Sequence, residues 1–151
     1  MTTATTASKA LVDDLVSANH ILFVEGVVDG FGHVSVRHDG RDDRFLLACG
    51  VAPATVTADD IVEVDYDGTV HDAAGRRSYL ERFIHSEIYK ARPDVMAIVH
   101  SHSPAIIPFG VTRATLRPVC HMSGFLGFST PVFEIRDTAG ENNDMLVKSA
   151  A

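Results

Sequence analysis

Cysteine is nearly missing from this 151-residue sequence. Cys49 and Cys120 stand far apart, without metal-type spacing. A disulfide scaffold is therefore not expected, and a reducing, cytoplasmic setting is the default. No apolar run approaches the length needed to span a bilayer. Basic residues are the minority, 13 against 20 acidic ones, for a formal charge of −7. That balance argues against nucleic acid or an anionic membrane as the main partner, yet leaves room for a small anionic substrate held by local arginines. Repeats and low-complexity linkers are absent. The opening Met1-Thr-Thr-Ala-Thr-Thr6 has no basic region followed by an apolar core, so it reads as a frayed tail rather than a secretion signal.

What is present suits one globular domain covering residues 1–151, with 46% apolar and 22% charged residues. The chain is organised around Val95-Met-Ala-Ile-Val-His100-Ser-His102-Ser-Pro104. Five apolar residues followed by two histidines predict a buried strand that ends by offering imidazoles to a site. Side chains alternate along a strand, so His100 and His102 are expected to point the same way, a start on a divalent-metal site.

The other elements follow from periodicity. Leu11, Val12, Leu15, Val16, Leu22 and Phe23 recur at helical spacing between about Ser8 and Glu25, with Gly26 as the stop. Asp29-Gly-Phe-Gly32 is a turn whose glycines let backbones approach. His33-Val-Ser-Val-Arg37 alternates, which puts His33, Ser35 and Arg37 on one face and the valines on the other. Arg44–Ala48 is a second strand. Thr57–Asp60 can cap one helical turn, and Ile61–Asp65 with Thr69–His71 form a hairpin around Asp67-Gly68. A second helix is expected over Tyr79–Ala91, with Leu80, Phe83, Ile84 and Ile88 on its apolar stripe and Pro93 beyond its end. The central His-x-His strand comes next. Then come a short helix from Ser103-Pro104 that Pro108 and Gly110 close, a strand near Arg117–Cys120, a short helix over His121–Leu126 and a strand around Pro131–Ile135. Asn143-Asp144 would cap a helix from Met145 to Ala151 that runs out at the end of the chain, as though the sequence were cut in mid-element. Strands alternating with helices imply an α/β sandwich around one sheet.

Several polar residues are candidates for chemistry. Glu81 and His85 share a helix face; alone, they read as a solvated glutamate beside a capping or core histidine. With the His100/His102 pair, Glu81 becomes an acid/base or a metal ligand. Arg76 and Arg77 are either a solvated loop pair or carboxylate binders. His33 on its glycine loop reads by itself as structural, and His121 as a hydrogen-bonded core histidine.

Glu81-x-x-x-His85-x-x-Ile88-Tyr89-Lys90-x-Arg92-Pro93-Asp94-Val95, continuing into Val99-His100-Ser-His102-Ser-Pro104, resembles the central signature of the class II aldolase/adducin family. The likeness covers nearly the whole chain. It implies an α/β/α sandwich around a central mixed, mainly antiparallel sheet, here with its C-terminal part missing. It also implies a catalytic divalent metal (Mn²⁺, Zn²⁺ or similar) on His100 and His102, acid/base or ligand duty for Glu81, and a homotetramer or multiple with sites between subunits. The family's third metal histidine lies in a later Arg-Gly-His-Gly type segment that this sequence does not contain. His85, Glu81 or a neighbouring subunit's histidine would have to stand in for it.

The departures from the sugar-phosphate aldolases point to a subgroup. Those enzymes place Gly-Asn where Gly32-His33 stands, and small hydroxyl residues that hold phosphate where Ser78-Tyr79-Leu80 stands. Tyr79 and Leu80 remove phosphate donors and supply an apolar, aromatic wall. His121 falls where the aldolases carry a catalytic tyrosine from the adjacent subunit, and histidine gives up a proton near neutral pH more readily than a phenol. These features resemble a decarboxylase subgroup acting on dihydroxyphthalates or hydroxy-methylpyridine dicarboxylates. The expectation is thus a metal-dependent, non-oxidative decarboxylase of a hydroxylated aromatic dicarboxylate. Glu81 or His121 is its proton donor, and His33, Arg76, Arg77 and Tyr79 contact the substrate. The alternatives are an aldolase or epimerase acting on a sugar phosphate and a noncatalytic adducin-like assembly module.

Overall fold

Ser8 starts the first helix by accepting a hydrogen bond from the Leu11 backbone N–H at 3.2 Å, an ordinary serine cap. In this computed structural model, residues 6–71, 73–127, 130–134 and 137 are described. Helix α1 spans Lys9–Val24, and Gly26 follows it with a φ of +67°. The helix lays Leu11, Leu15, Ala18 and Leu22 against Val34 and Leu46 of the sheet.

Among the described residues the sheet has five strands: β1 (His33–Arg37), β2 (Arg44–Ala48), β3 (Ile61–Asp65), β4 (Val70–His71) and β5 (Ala97–His100). Their order is β4-β3-β2-β1-β5, and every neighbouring pair is antiparallel. Between β2 and β3, Thr57 and Asp60 form the expected capping box on a single 3₁₀ turn. The alternation of β1 is as expected. Val34 faces α1, whereas Ser35 reaches Tyr89 on helix α2 (Arg82–Ala91), which covers the opposite face. The larger core, Phe45, Leu47, Val62, Val64 and Tyr89, lies on the α2 side. Each such side chain buried is worth about 1.5–3 kcal/mol. Two helices thus sandwich one antiparallel sheet.

Several expectations need correction, two of them within the sandwich. Strand β5 is not central: among the described strands it is an edge, with Met96 at 60% and Val99 at 45% exposure. Ile98 and, just ahead of the strand, Val95 still pack on the core, which is what the apolar run reflects. Helix α2 starts at Arg82 rather than Tyr79, and it buries His85, Ser86 and Tyr89 instead of the apolar stripe. Leu80 is 56% and Ile84 37% exposed. The sheet explains this choice, because β1 offers the Ser35 hydroxyl and the Arg37 guanidinium, and a polar helix face answers them.

Glycine matters at two approaches. A Cβ on Gly32 would fall 2.6 Å from Val28 Cβ and 3.0 Å from the His100 carbonyl oxygen, so only glycine lets β1 enter the sheet there. Gly68, at φ +80°, turns β3 into β4 beneath the Phe83 ring, and its carbonyl accepts from Arg82 Nε at 2.8 Å.

After β5 the described residues are largely exposed. The helix near Pro104 is α3 (Ile107–Val111); Pro108 sits in its first turn instead of closing it, since a proline needs no N–H there. A six-residue 3₁₀ helix covers His121–Leu126, as expected for a short helix. No strand forms at Arg117–Cys120 or over 131–134. Ile135, the helix expected from Met145 and the first five residues lie outside the described residues. No described helix is long and apolar enough to cross a membrane.

Candidate active site

β5 ends at His100, and two residues on His102 turns its ring toward the same point. The two Nε2 atoms are 2.9 Å apart, with the ring planes at 87°. Two imidazoles on one tetrahedral ion at 2.0–2.1 Å would hold their nitrogens about 3.3 Å apart, so a small opening of this pair makes room for one. Among the described residues no group of three His, Cys, Asp or Glu side chains could hold a metal ion.

Asp29 stands behind His102, with Oδ1 at 3.5 Å from Nδ1. The same oxygen accepts the backbone N–H groups of Phe31 at 2.9 Å and Gly32 at 2.8 Å. The Phe31 hydrogen bond leads in holding this carboxyl below its usual range. A carboxylate on the outer nitrogen of a metal-binding histidine orients the ring and makes it more basic. Asp29 went unnoticed as a site residue because its sequence context announces only a turn; an acid four residues before His33 was the available signal.

His33 pairs with His100 in the sheet register and is completely buried. Its ring stacks on Tyr79 at 4.1 Å, and on His85 and His100 at 4.9 Å each. Its Nδ1 donates to the Phe31 carbonyl at 3.2 Å. Burial lowers its pKa to about 4, and burial, then the neighbouring His33 and His100, lowers that of His85 to about 3. His100 is lowered as well, first by burial and then by His102. Neutral imidazole is the form a metal requires.

Glu81 is the half-buried residue just ahead of α2, and its carboxylate acts electrostatically on both His33 and His100, favouring their charged forms. Tyr79 spends its hydroxyl on the Val51 carbonyl and its ring face on His33; burial pushes its phenol up to about 12. Glu81, His33, Tyr79, His85, His100 and His102 therefore form one neighbourhood.

The two arginines and His121 are not brought into it. Arg76 donates from Nε to the Ala73 carbonyl at 3.1 Å and lies 3.5 Å from Asp60, tying its loop to the Thr57–Asp60 turn. Arg77 is exposed, and its carbonyl accepts from Gly50 N–H at 2.8 Å. His121 is exposed too, which overturns its reading as a core histidine. Arg37 is likewise put to structural use. Its Nη2 donates to the Tyr89 and Arg92 carbonyls at 2.8 Å each and its Nε to Val95 at 2.6 Å, knitting the end of α2 to the start of β5.

Residues 13–149 match the family described as Class II Aldolase and Adducin N-terminal domain. Decarboxylase tropJ from Talaromyces stipitatus is 40% identical over 146 residues, which cover 91% of this chain and 53% of that protein. Human beta-adducin is 32% identical over 99 residues, 63% of this chain and 14% of its own length. The L-fuculose 1-phosphate aldolase from Glaciozyma antarctica superposes with a TM-score of 0.61 at 36% identity, over 67% of this chain and 43% of that one. An aldolase II superfamily protein from Pseudomonas syringae superposes at 0.64 with 28% identity, over 74% of this chain and 46% of that one. The chain spans about half the length of the tropJ relative and of these two solved structures.

Proposed function

We propose, from the premise that this chain belongs to the class II aldolase and adducin family, that it carries the metal-binding part of a non-oxidative decarboxylase. Its substrate is a hydroxylated aromatic or pyridine dicarboxylate. The observation that carries the metal site is the convergence of His100 and His102 at 2.9 Å with Asp29 behind them. The 40% identity to a protein named as a decarboxylase supports the reaction class.

His100 and His102 would hold a divalent ion such as Mn²⁺ or Zn²⁺ through Nε2. Bound there, the ion supplies Lewis acidity toward a phenolic oxygen of the substrate. Asp29 orients His102, and buried His33 supports the ring of His100. Tyr79 and Leu80 line an apolar approach suited to a flat ring. Glu81, or His121 from a neighbouring subunit, gives a proton to the ring carbon that bears the departing carboxylate. The C–C bond then breaks, CO₂ leaves, and its electron pair returns to the ring, restoring aromaticity with one proton gained and one CO₂ lost. Arg76 and Arg77 are the groups for the second carboxylate, reaching it only if their loop moves from Asp60; His33, buried with its Nδ1 proton on the Phe31 carbonyl, has no donor left for that role. The assembly proposed is a homotetramer or a multiple of it.

A second reading, an aldolase or epimerase on a sugar phosphate, is favoured by the 36% identity to an L-fuculose 1-phosphate aldolase. A third, a noncatalytic adducin-like module, is favoured by the lack of a three-ligand cluster among the described residues. Incubation with Mn²⁺ and a panel of dihydroxyphthalates, pyridine dicarboxylates and L-fuculose 1-phosphate separates the three. CO₂ release from a dicarboxylate supports the proposal. Retro-aldol cleavage of the sugar phosphate alone, or no turnover and no metal uptake, rejects it.

A further inference from the structure

Behind the histidine pair runs a buried hydrogen-bond chain that the reaction scheme does not use. Ser35 Oγ on β1 lies 2.6 Å from His85 Nδ1 and 2.8 Å from the Tyr89 hydroxyl, and Ser35, His85 and Tyr89 are all within 1% of full burial. Each hydroxyl has one proton, so the direction of the chain can be derived. If Tyr89 donates to Ser35 and Ser35 donates to His85 Nδ1, every polar atom of the chain is satisfied except His85 Nε2–H. If His85 Nδ1–H donates instead, either the Tyr89 or the Ser35 proton is stranded in the core, and the Nε2 lone pair is stranded with it. Every such stranded group costs desolvation free energy, so the first direction wins. It makes His85 the Nε2–H tautomer.

The neighbouring ring is its complement. Phe31 contributes a carbonyl, which can only accept, so His33 carries its proton on Nδ1 and a lone pair on Nε2. His33 Nε2 and His85 Nε2 are both buried without a protein partner. They are one acceptor and one donor on rings whose centroids are 4.9 Å apart. His33 then stacks on His100 at the same separation. We propose that Tyr89, Ser35 and His85 are positioning residues, a tautomer-fixing relay that locks the His85–His33 stack and so sets the plane of His100. This rests on the assignment of His100 as a metal ligand; the relay itself has a readout that does not need metal.

That readout is ¹⁵N NMR of histidine-labelled protein, in which protonated and lone-pair ring nitrogens are resolved. The expected result is a single His85 tautomer with its proton on Nε2. Ser35→Ala should give a mixture of tautomers and weaken Mn²⁺ binding by about tenfold, the low end for groups that orient a metal ligand. Ser35→Thr, which keeps the hydroxyl, should restore both. If Ser35→Ala does not fold, Ser35→Cys keeps the size of the side chain, replaces the hydroxyl by a far weaker donor, and should give the same mixture. A proton on His85 Nδ1 in the unsubstituted protein overturns the relay. Changed tautomers with unchanged Mn²⁺ affinity overturn the positioning role. If the unsubstituted protein takes up no Mn²⁺ the functional reading fails, while the His85 tautomer still decides the relay.

Discussion

His100 and His102 hold their Nε2 atoms 2.9 Å apart, and the Nδ1 of His102 faces the Asp29 carboxylate. A carboxylate calls for a proton on that Nδ1, which leaves the Nε2 of His102 with its lone pair. His100 must then donate from Nε2 in the metal-free protein and shift its proton to Nδ1 before it can ligate. Both rings are needed, because one imidazole binds a divalent ion weakly. His100→Ala and His102→Ala should each abolish stoichiometric Mn²⁺ uptake, read by metal analysis after gel filtration. Full occupancy in either variant would remove that residue from the ligand set.

Asp29 should matter through its charge more than through its shape. Asn at this position keeps an oxygen for the Phe31 and Gly32 N–H groups, so the turn survives, but loses the negative charge beside His102. Asp29→Asn is expected to weaken Mn²⁺ binding about 10- to 100-fold with little change in melting temperature. Unchanged affinity, measured by calorimetric titration, would make Asp29 a turn residue only.

What the sequence made legible was local. Strand alternation in His33–Arg37, the cap at Thr57 and the hairpin at Asp67-Gly68 need only neighbours a few residues away. The approach of His100 and His102 is also a matter of near neighbours, although β5 ends at His100 and the turn after it, not strand alternation, aims His102. Three things needed tertiary information: the edge position of β5, the polar burial of α2, and the role of Asp29. Ile84 outranks His85 on any hydrophobicity scale, yet His85 is the residue inside, because Ser35 on a strand fifty residues earlier holds a hydroxyl at its Nδ1. Arg76 stays apart from the histidines for a similar reason: Asp60, on the turn ahead of β3, engages its guanidinium together with the nearby Ala73 carbonyl.

Gly32 ties fold to site. A methyl group there would press on Val28 and on the backbone carbonyl of His100, and backbone inside a sheet yields little. Gly32→Ala should cost about 1–3 kcal/mol in denaturant unfolding and displace the end of β5. Mn²⁺ affinity should fall with it, whereas an unstrained exposed site such as Gly30, where an added Cβ meets nothing within 4 Å, should tolerate alanine. Equal tolerance at both positions would show that β1 and β5 can separate without loss.

Acid should weaken the fold well before the carboxylates titrate. His33 and His85 have pKa values near 4 and 3 in the folded protein, against an ordinary 6.5, chiefly because burial disfavours their charged forms. The unfolded chain therefore binds protons from about pH 6.5 downward while the folded chain does not. Stability is fully present above that pH and declines as pH falls through 6 and 5 toward 4, by at most about 1.4 kcal/mol per pH unit for each histidine. Carboxyls such as Asp94, held at about 2 by the Arg92 hydrogen bond, contribute only lower down. Urea midpoints measured from pH 7 to pH 4 should fall steadily, and His85→Gln, though less stable at pH 7, should show a shallower slope. A flat profile over that range would mean that these two rings take up protons in the folded protein as readily as in the unfolded one, which their burial against Tyr79, Ser35 and Tyr89 forbids.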